Sequence, residues 1–450
     1  MKIIIIGAGK VGKTLAKHLT DEGHNIIVIE KDKQVLDNLL NTYDVAGFVG
    51  NGATIDIQNE AEVSKADLFI AVTDNDELNL VCCRLARTLG AKKVIARVRD
   101  TDYTEQADLM RDSFGIDVIV NPEHAAAEEI ANLLRFPFAT LVTSFEKGKV
   151  VSVEIKVPEE CPIINKTVEE IVKEFSANLI VGAILREGEV IIPSGQDIIC
   201  AGDYVNFIST PQKIDAFFKK ADIFNRKVKS VLIIGGSRIS YHLSKALVEG
   251  GVKVKIIEKR AERCQQLLES LEKVEVVNAD GSQKQILDEE GMAGYDAMVS
   301  LTDIDEQNII ISLYAKSKNV ETVVGKVNND TFYNLLEDIS LEACVSPKDV
   351  VANQIIYYTR SLKSKEDGKL ESLRKMFDSK LEILEMDVAD DSEIVGQQIK
   401  DLNFKSDVVI AAIVRKRSII LPSGDVVLEG DDKIILATSR KIEEIDGIIK

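Results

Sequence analysis

The constraint that most narrows the fold of this chain is that it repeats itself. Lys2–Asp32 reads KIIIIGAGKVGKTLAKHLTDEGHNIIVIEKD and Val231–Arg260 reads VLIIGGSRISYHLSKALVEGGVKVKIIEKR. Ile6-Gly7 falls on Ile234-Gly235, and Ile29-Glu30-Lys31 falls on Ile257-Glu258-Lys259. Further on, AVTDNDELN (Ala71–Asn79) meets SLTDIDEQN (Ser300–Asn308), and VIARV (Val94–Val98) meets VVGKV (Val323–Val327). The match continues beyond these units: AILREGEVIIPSGQDIICAGD (Ala183–Asp203) repeats as AIVRKRSIILPSGDVVLEGDD (Ala412–Asp432). So many separated blocks in one order describe a tandem duplication of a two-domain module.

Within the first copy, continuous apolar runs alternate with amphipathic segments. The runs are Ile3–Ile6, Ile26–Ile29, Val45–Val49, Leu68–Val72, Val94–Val98 and Val118–Val120, with helical patterns such as Val11–Thr20 and Leu78–Leu89 between them. Short apolar strands separated by helices predict a parallel sheet covered on both faces, an α/β doubly wound Rossmann-like domain. After the last run, Asn121 and Pro122 start a helix that Pro137 ends, and Ser346–Lys363 stands at the same point of the second copy. Beyond these helices, Leu141–Thr210 and Lys380–Thr438 carry short strands, Gly/Pro/Asp turns and one helical stretch each, the pattern of small α+β domains. The expected boundaries are 1–121, a linking helix 122–138, 139–222, 228–346, a linking helix and linker 347–371, and 372–450. The polar run KSKEDGKLES (Lys363–Ser372) is expected to be a flexible link.

Gly7-Ala8-Gly9-Lys10-Val11-Gly12 is a full G-x-G-x-x-G between a strand and a helix, the context that gives this motif its meaning. Gly7 allows the tight turn, Gly9 lets backbone approach a pyrophosphate, and Gly12 permits close helix–strand packing. The helix start offers free N–H groups to phosphates. Glu30 ends the second strand, where a carboxylate accepts hydrogen bonds from ribose hydroxyls and repels a 2′-phosphate. NAD(H) is therefore favoured over NADP(H), a preference that Lys31 blunts. Thr73-Asp74 ends the fourth strand on the ligand rim, and Arg97 near the end of the fifth suits a phosphate or an interdomain ion pair. Gly50 and Gly52 flank Asn51 after the third strand, in either a ligand contact or an ordinary turn.

The second copy departs from this pattern. Gly235-Gly236-Ser237-Arg238-Ile239-Ser240 puts serines where the second and third glycines belong, while Glu258 and Thr302-Asp303 remain and Lys326 replaces Arg97. A Cβ at Ser237 is expected to obstruct a pyrophosphate and one at Ser240 to tighten helix packing. This site is read as weak or altered, with Arg238 offering charge in place of backbone contacts.

Composition narrows the function. The chain has 74 acidic and 56 basic residues, a net charge of −18, which argues against nucleic acid or an anionic membrane surface as the main partner. No apolar run approaches the length needed to span a bilayer, no signal peptide is recognisable, and the six cysteines lack Cys-x-x-Cys spacing. These features read as a cytosolic protein with reduced thiols. Four histidines (His18, His24, His124 and His242) have no recognisable catalytic partner, and no metal-ligand arrangement is evident. A dehydrogenase needs a proton-handling group beside its nicotinamide. None is legible here, so the nucleotide is expected to be a ligand rather than a reactant.

With GAGKVG, VIEKD, AVTDNDELN, the Arg97 strand, IIPSG…AGD and their second copies, the whole chain resembles the TrkA family of Trk potassium-uptake regulatory subunits. That family is built from two tandem RCK (regulator of potassium conductance) modules, each with an N-terminal Rossmann half and a C-terminal half. The resemblance implies binding of NAD(H), and in some members ATP or ADP. It also implies a homotetramer forming a ring of eight modules under a membrane potassium-translocating subunit. The protein would then be cytoplasmic and held at the inner face of the membrane through that partner. The helices at Asn121–Pro137 and Ser346–Lys363 would serve dimerisation, or simply be buried within one chain. The third-strand turn departs from the family's usual Gly-Asp form, reading Asn51-Gly52 and Asp280-Gly281, which makes Asn51 a weaker ribose contact than Glu30. Two other readings are an NAD-dependent oxidoreductase, which would consume NADH with a small substrate, and a regulator of a different cation channel or transporter.

Overall fold

The computed structural model describes residues 1–449 apart from 101–102, 104–105, 224–226, 330, 333–343, 365–369, 377–379, 406, 417, 441 and 443–444. The middle of the expected Lys363–Ser372 link thus lies outside the described residues. In chain order the strands of the first copy are β1 (Lys2–Ile6), β2 (Asn25–Glu30), β3 (Ala46–Val49), β4 (Leu68–Ala71), β5 (Lys93–Arg97) and β6 (Val118–Val120). Then come β7 (Leu141–Phe145), β8 (Val150–Lys156), β9 (Ile180–Arg186), β10 (Glu189–Ile191) and β11 (Tyr204–Ser209). The second copy repeats both sets. Its first set is β12 (Ser230–Ile234), β13 (Lys253–Glu258), β14 (Val274–Asn278), β15 (Ala297–Ser300), β16 (Thr322–Lys326) and β17 (Cys344–Val345). Its second set is β18 (Leu370–Met376), β19 (Leu381–Asp387), β20 (Val408–Arg415), β21 (Ser418–Ile420) and β22 (Lys433–Thr438).

The chain folds into two compact units, and each gathers like halves rather than consecutive ones. One unit comprises Met1–Ala131 with Lys229–Ile356; the other comprises Asn132–Val228 with Tyr357–Lys450.

The first unit holds two six-stranded parallel sheets, ordered β3-β2-β1-β4-β5-β6 and β14-β13-β12-β15-β16-β17. The order reverses between β1 and β4, and again between β12 and β15. In open α/β sheets such a switch point leaves a crevice beyond the strands' carboxyl ends. Ile3, Ile4, Ile5 and Ile6 are at most 2 % exposed, which explains why β1 is apolar at every position after Lys2. Beneath the sheet of the first copy, Phe69, Leu80, Cys82, Cys83 and Val94 join one core. Burial pushes the Cys82 thiol up to about 12 and raises that of Cys83 as well, as befits thiols that serve as packing.

The second unit holds two five-stranded antiparallel sheets, β10-β9-β11-β8-β7 and β18-β19-β22-β20-β21, whose orders match once one is read backwards. They share an apolar interface that includes Phe145, Val150, Ala183 and Ile208 from the first and Leu381, Ile383, Ala411 and Ala437 from the second. In each copy an ion pair between a half-buried arginine and a buried aspartate ties a strand to the turn before the next. Arg186 Nη2 lies 2.7 Å from Asp203 Oδ2, and Arg415 Nε lies 2.8 Å from Asp432 Oδ1.

The expected helical stretch differs between these copies. Thr167 and Glu170 form a reciprocal capping box that starts the helix Val168–Glu174. At the equivalent place Gln398 makes no capping bond, and the stretch shortens to a 3-10 turn, Ile399–Asp401. A further helix, Pro211–Lys220, follows β11 and packs Phe217 and Phe218 inward.

Glu154 of β8 is buried and accepts a hydrogen bond from Thr140 Oγ1 at 2.6 Å. Burial raises its pKa, so the folded chain holds this proton more tightly than the unfolded one does. Its contribution is intact below the ordinary carboxylate range and is lost as pH rises toward the raised value. Glu154→Gln keeps an acceptor for Thr140 and removes the titration. Its melting temperature near pH 7 is expected to exceed the parent's, with the two converging at acidic pH. A constant difference across pH would contradict the assignment.

Candidate functional site

The site begins with the turn after β1. Gly7 has φ +99°, and a Cβ there would come within 3.1–3.2 Å of Thr73, so the turn backs directly onto the end of β4. Gly12 is more constrained: a Cβ would lie 1.9 Å from the Gly7 carbonyl oxygen. A Cβ on Gly9 would meet nothing within 4 Å, which leaves that face of the turn open for another molecule's atoms. The helix Lys10–Asp21 follows, with Gly9 at its N-cap and no side-chain cap. Its first N–H groups, with the positive end of the helix dipole, are available to an anion. Ala8 and Val11 are buried behind the turn, while Lys10 and Lys31 are exposed.

Glu30 stands where the ribose contact was expected. Its Oε2 accepts the Ala8 N–H at 2.7 Å and its Oε1 the Asp32 N–H at 3.1 Å. Each carboxylate oxygen retains a lone pair for a hydroxyl. Asn51 turns its Oδ1 back to the Ala53 N–H at 3.0 Å. Gly50 and Gly52 back onto Ile57 and Ile6 respectively, which gives both a packing role in their turn. Asp74 is 91 % exposed at its side chain and lies 3.2 Å from Nη1 of Arg97. Arg97 is largely buried, and burial together with the Arg99 charge pulls its pKa down against the pull of Glu123 and Asp74. Among the described residues, Arg97 Nε and Glu123 Oε2 are buried without a hydrogen-bond partner. An open glycine face, an uncapped helix start and buried polar atoms without partners together fit a phosphorylated nucleotide.

Sequence reasoning missed the residues that hold this rim. Asn79, fully buried, accepts from the Thr73 N–H (2.9 Å) and Oγ1 (2.7 Å) and donates to the Thr73 and Arg97 carbonyls (3.1 and 2.9 Å). Asp76 Oδ2 accepts the Arg99 and Asp100 N–H groups, both at 2.8 Å. Asn308 and Asp305 repeat these bonds around Thr302, Lys326, Asn328 and Asn329. The signal was present in both copies of the T-D-x-D-E-x-N stretch, but the binding of β4 to β5 by one amide is a tertiary fact.

In the second copy the serines rebuild the turn. Ser240 occupies the place of Gly12, is fully buried, and donates its hydroxyl to the Gly235 carbonyl at 2.5 Å. The crowding expected there is thus resolved as a hydrogen bond. Ser237 caps the helix Arg238–Glu249 by accepting the Ser240 N–H at 3.3 Å, which withdraws one N–H from any phosphate. Glu258 is nearly buried, and its oxygens accept the Gly236 N–H (2.6 Å) and the Arg260 N–H (2.8 Å). Burial opposes its ionisation, but those N–H groups and the Arg260 guanidinium hold its carboxyl below the usual range. Lys326, at the place of Arg97, is buried 3.9 Å from Asp303, and burial pulls its pKa down.

The two turns open into one cavity of about 1420 Å³, lined from the first copy by Gly9, Lys10, Glu30, Arg97 and Glu123 and from the second by Arg238, Glu258 and Lys326, among others. The walls also meet through His124 and His242, whose rings stand edge to face with centroids 5.2 Å apart.

The TrkA-N domain model matches residues 3–122 and 231–347, and the TrkA-C domain model matches residues 153–222 and 383–448. The chain belongs to the TrkA family. It is 32 % identical over 452 residues to the Trk system potassium uptake protein TrkA homolog of Archaeoglobus fulgidus, covering 100 % of both chains. It is also 32 % identical to the Trk system potassium uptake protein TrkA of Halomonas elongata, over 100 % of this chain and 99 % of that one. Among solved structures it shares its fold with the GsuK RCK domain (TM-score 0.63, 18 % identity, 97 % of this chain and 92 % of that one). A GsuK channel bound to NAD superposes with a TM-score of 0.64 at 18 % identity, over 97 % of this chain and 76 % of that one. The tandem Rossmann-like architecture of this TrkA-family chain is therefore that of RCK domains. Among its described residues, no helix is long and apolar enough to cross a membrane.

Replacing Asn79 by Ala removes four hydrogen bonds and leaves the Thr73 and Arg97 backbone groups unsatisfied. We expect a loss of about 2–4 kcal/mol in denaturant unfolding together with weaker nucleotide binding by calorimetry. Unchanged stability would show that the rim does not depend on this amide.

Proposed function

We propose that this chain is the nucleotide-sensing regulatory subunit of a Trk-type potassium-uptake system and that it catalyses no reaction on its nucleotide. Its ligand at Gly7–Gly12 and Glu30 is NAD(H), with ATP or ADP as competing ligands. The observation that carries this reading is the shared cavity: two copies of one strand–turn–helix element, the first with its helix start uncapped, face one space. The family to which the chain belongs, and the NAD-bound GsuK channel that shares its fold, support the same reading.

In this reading the phosphates lie on the Lys10–Asp21 helix start, the ribose hydroxyls on Glu30, and Arg97 faces the phosphates across the Thr73-Asp74 rim. Glu123 supplies negative charge that favours the cationic forms of both Arg97 and Lys326, so a phosphate arriving beside Arg97 alters a balance shared with the second copy. Binding then favours one separation of the two walls. Four chains closing a ring of eight modules, held at the cytoplasmic face by a membrane potassium-translocating subunit, would pass that change to the pore. The domain boundaries at 121, 138, 222, 228, 346 and 371 are the places at which we expect the modules to part. Such a switch requires a ligand that binds its two states with different affinity. NADH and NAD⁺, or ATP and ADP, must therefore be discriminated.

Potassium flux through the complex reconstituted with its membrane subunit tests the proposal. Flux is expected to depend on the nucleotide added, and Glu30→Ala is expected to abolish the response to NADH while leaving the ring assembled. Nucleotide-independent flux, or a full response from Glu30→Ala, would refute it. Steady NADH oxidation with a small-molecule substrate would favour an oxidoreductase instead.

A further inference from the structure

The two nucleotide turns are copies, yet the ribose ends beside them carry opposite charge. In the first copy Glu30 is followed by Lys31, Asp32 and, within the next helix, Val35; the second copy has Glu258, Lys259, Arg260 and Arg263 at these places. All eight residues line the shared cavity. Asp32 caps its helix, accepting the Gln34 and Val35 N–H groups at 2.9 and 3.2 Å. Arg260 occupies the same N-cap without any capping bond, and its charge opposes the positive end of the helix. Local helix chemistry gives no reason for an arginine here.

The arginines are positioned. Arg263 Nε donates to the Gly236 carbonyl at 2.6 Å, and its Nη1 donates to Gln266 Oε1 at 3.0 Å. Arg260 Nε donates to Glu258 Oε1 at 3.0 Å, while its side chain stays 59 % exposed. Glu258 is thereby turned inward, engaged by two N–H groups and a guanidinium, and only 4 % exposed. Beside Glu258 the cavity lining carries the guanidinium groups of Arg260 and Arg263, the latter also donating Nη2 to the Ser237 carbonyl at 3.4 Å. Burial first, and then the nearby Arg260 and Arg238 charges, lower the pKa of Arg263.

We propose that the second site binds an adenine nucleotide through a phosphate on its ribose, the 2′-phosphate of NADP(H), with Arg260 and Arg263 as the phosphate ligands and Lys259 beside them. In Rossmann sites an acid at this position reads the ribose 2′-hydroxyl, whereas a nearby arginine accommodates the 2′-phosphate. Guanidinium donors suit phosphate because they offer paired, charge-assisted hydrogen bonds. The helix N–H taken up by Ser237 weakens the pyrophosphate end, so the ribose end carries more of the recognition. This deepens the reading of the chain as a nucleotide sensor, but it depends neither on the ligand of the first site nor on the membrane partner.

Calorimetry on the full-length chain tests it. NADPH is expected to bind at a site from which NADH does not displace it, and adenosine 2′,5′-bisphosphate is expected to compete where ADP does not. The double variant Arg260→Asp/Arg263→Val, which restores the residue types of the first wall, should weaken NADPH at least about tenfold and leave NADH binding unchanged. Arg260→Lys should recover part of the loss. Three results would overturn the proposal: no NADPH site beyond that of NADH, unchanged NADPH affinity in the double variant, or competition by inorganic phosphate as effective as that by the bisphosphate. Failure of the first-site reading looks different, because NADH binding would then survive Glu30→Ala.

Discussion

A single close approach sets the geometry of the first site: the Gly7 carbonyl oxygen occupies the space that a Cβ on residue 12 would need. Because residue 12 is glycine, the helix can start against the end of β1 with its first N–H groups unclaimed. Because Gly7 in turn packs against Thr73, the glycine turn is fixed to the end of β4, across the point where strand order reverses. Asn79 then ties that end to β5 and so sets Arg97 beside the same opening. Strand, turn, rim and cation are thus one connected arrangement.

The second copy shows what happens when that approach is lost. With serine in place of the glycine, the hydroxyl bonds the carbonyl that the glycine left crowded, and a second serine caps the helix that had been open. The charge pattern at the ribose end reverses alongside. Duplication produced two sites with the same frame, and a handful of side chains gave them different chemistry. Both turns open on one cavity, so in the proposed reading the two unequal sites have a direct route for one to sense the other.

Much of this was legible in the sequence because it follows from local rules. The six apolar runs became the six strands of a parallel sheet, whose central strands β1 and β4 are buried on both faces while β3 at one edge is not. The turn at Gly7 and Gly12 read correctly, since the positive φ of the first and the crowding at the second are intrinsic to the backbone. Four features were not legible. The gathering of like halves into compact units depends on surfaces that pair at a distance, such as Ala183 and Ile208 with Leu381 and Ala437. The fourfold bonding of Asn79 needs β4 and β5 side by side. Ser240 looked like a steric fault because hydroxyl geometry, unlike a glycine pattern, cannot be read along a chain. In the C-terminal halves, the repeat correctly implied twin sheets but not that Gln398, lacking the Thr167–Glu170 capping box, would reduce a helix to a single 3-10 turn.

The central claim is that occupancy of the first turn resets the spacing of the two copies across their common cavity. Spin labels at the exposed positions Lys17 and Ala246, one on the helix that follows each turn, allow that spacing to be measured by pulsed electron resonance. The account predicts a distance distribution that shifts on saturation with NADH and stays at the ligand-free position in the Glu30→Ala background. An identical distribution with and without NADH, at concentrations where calorimetry shows the site filled, would contradict it.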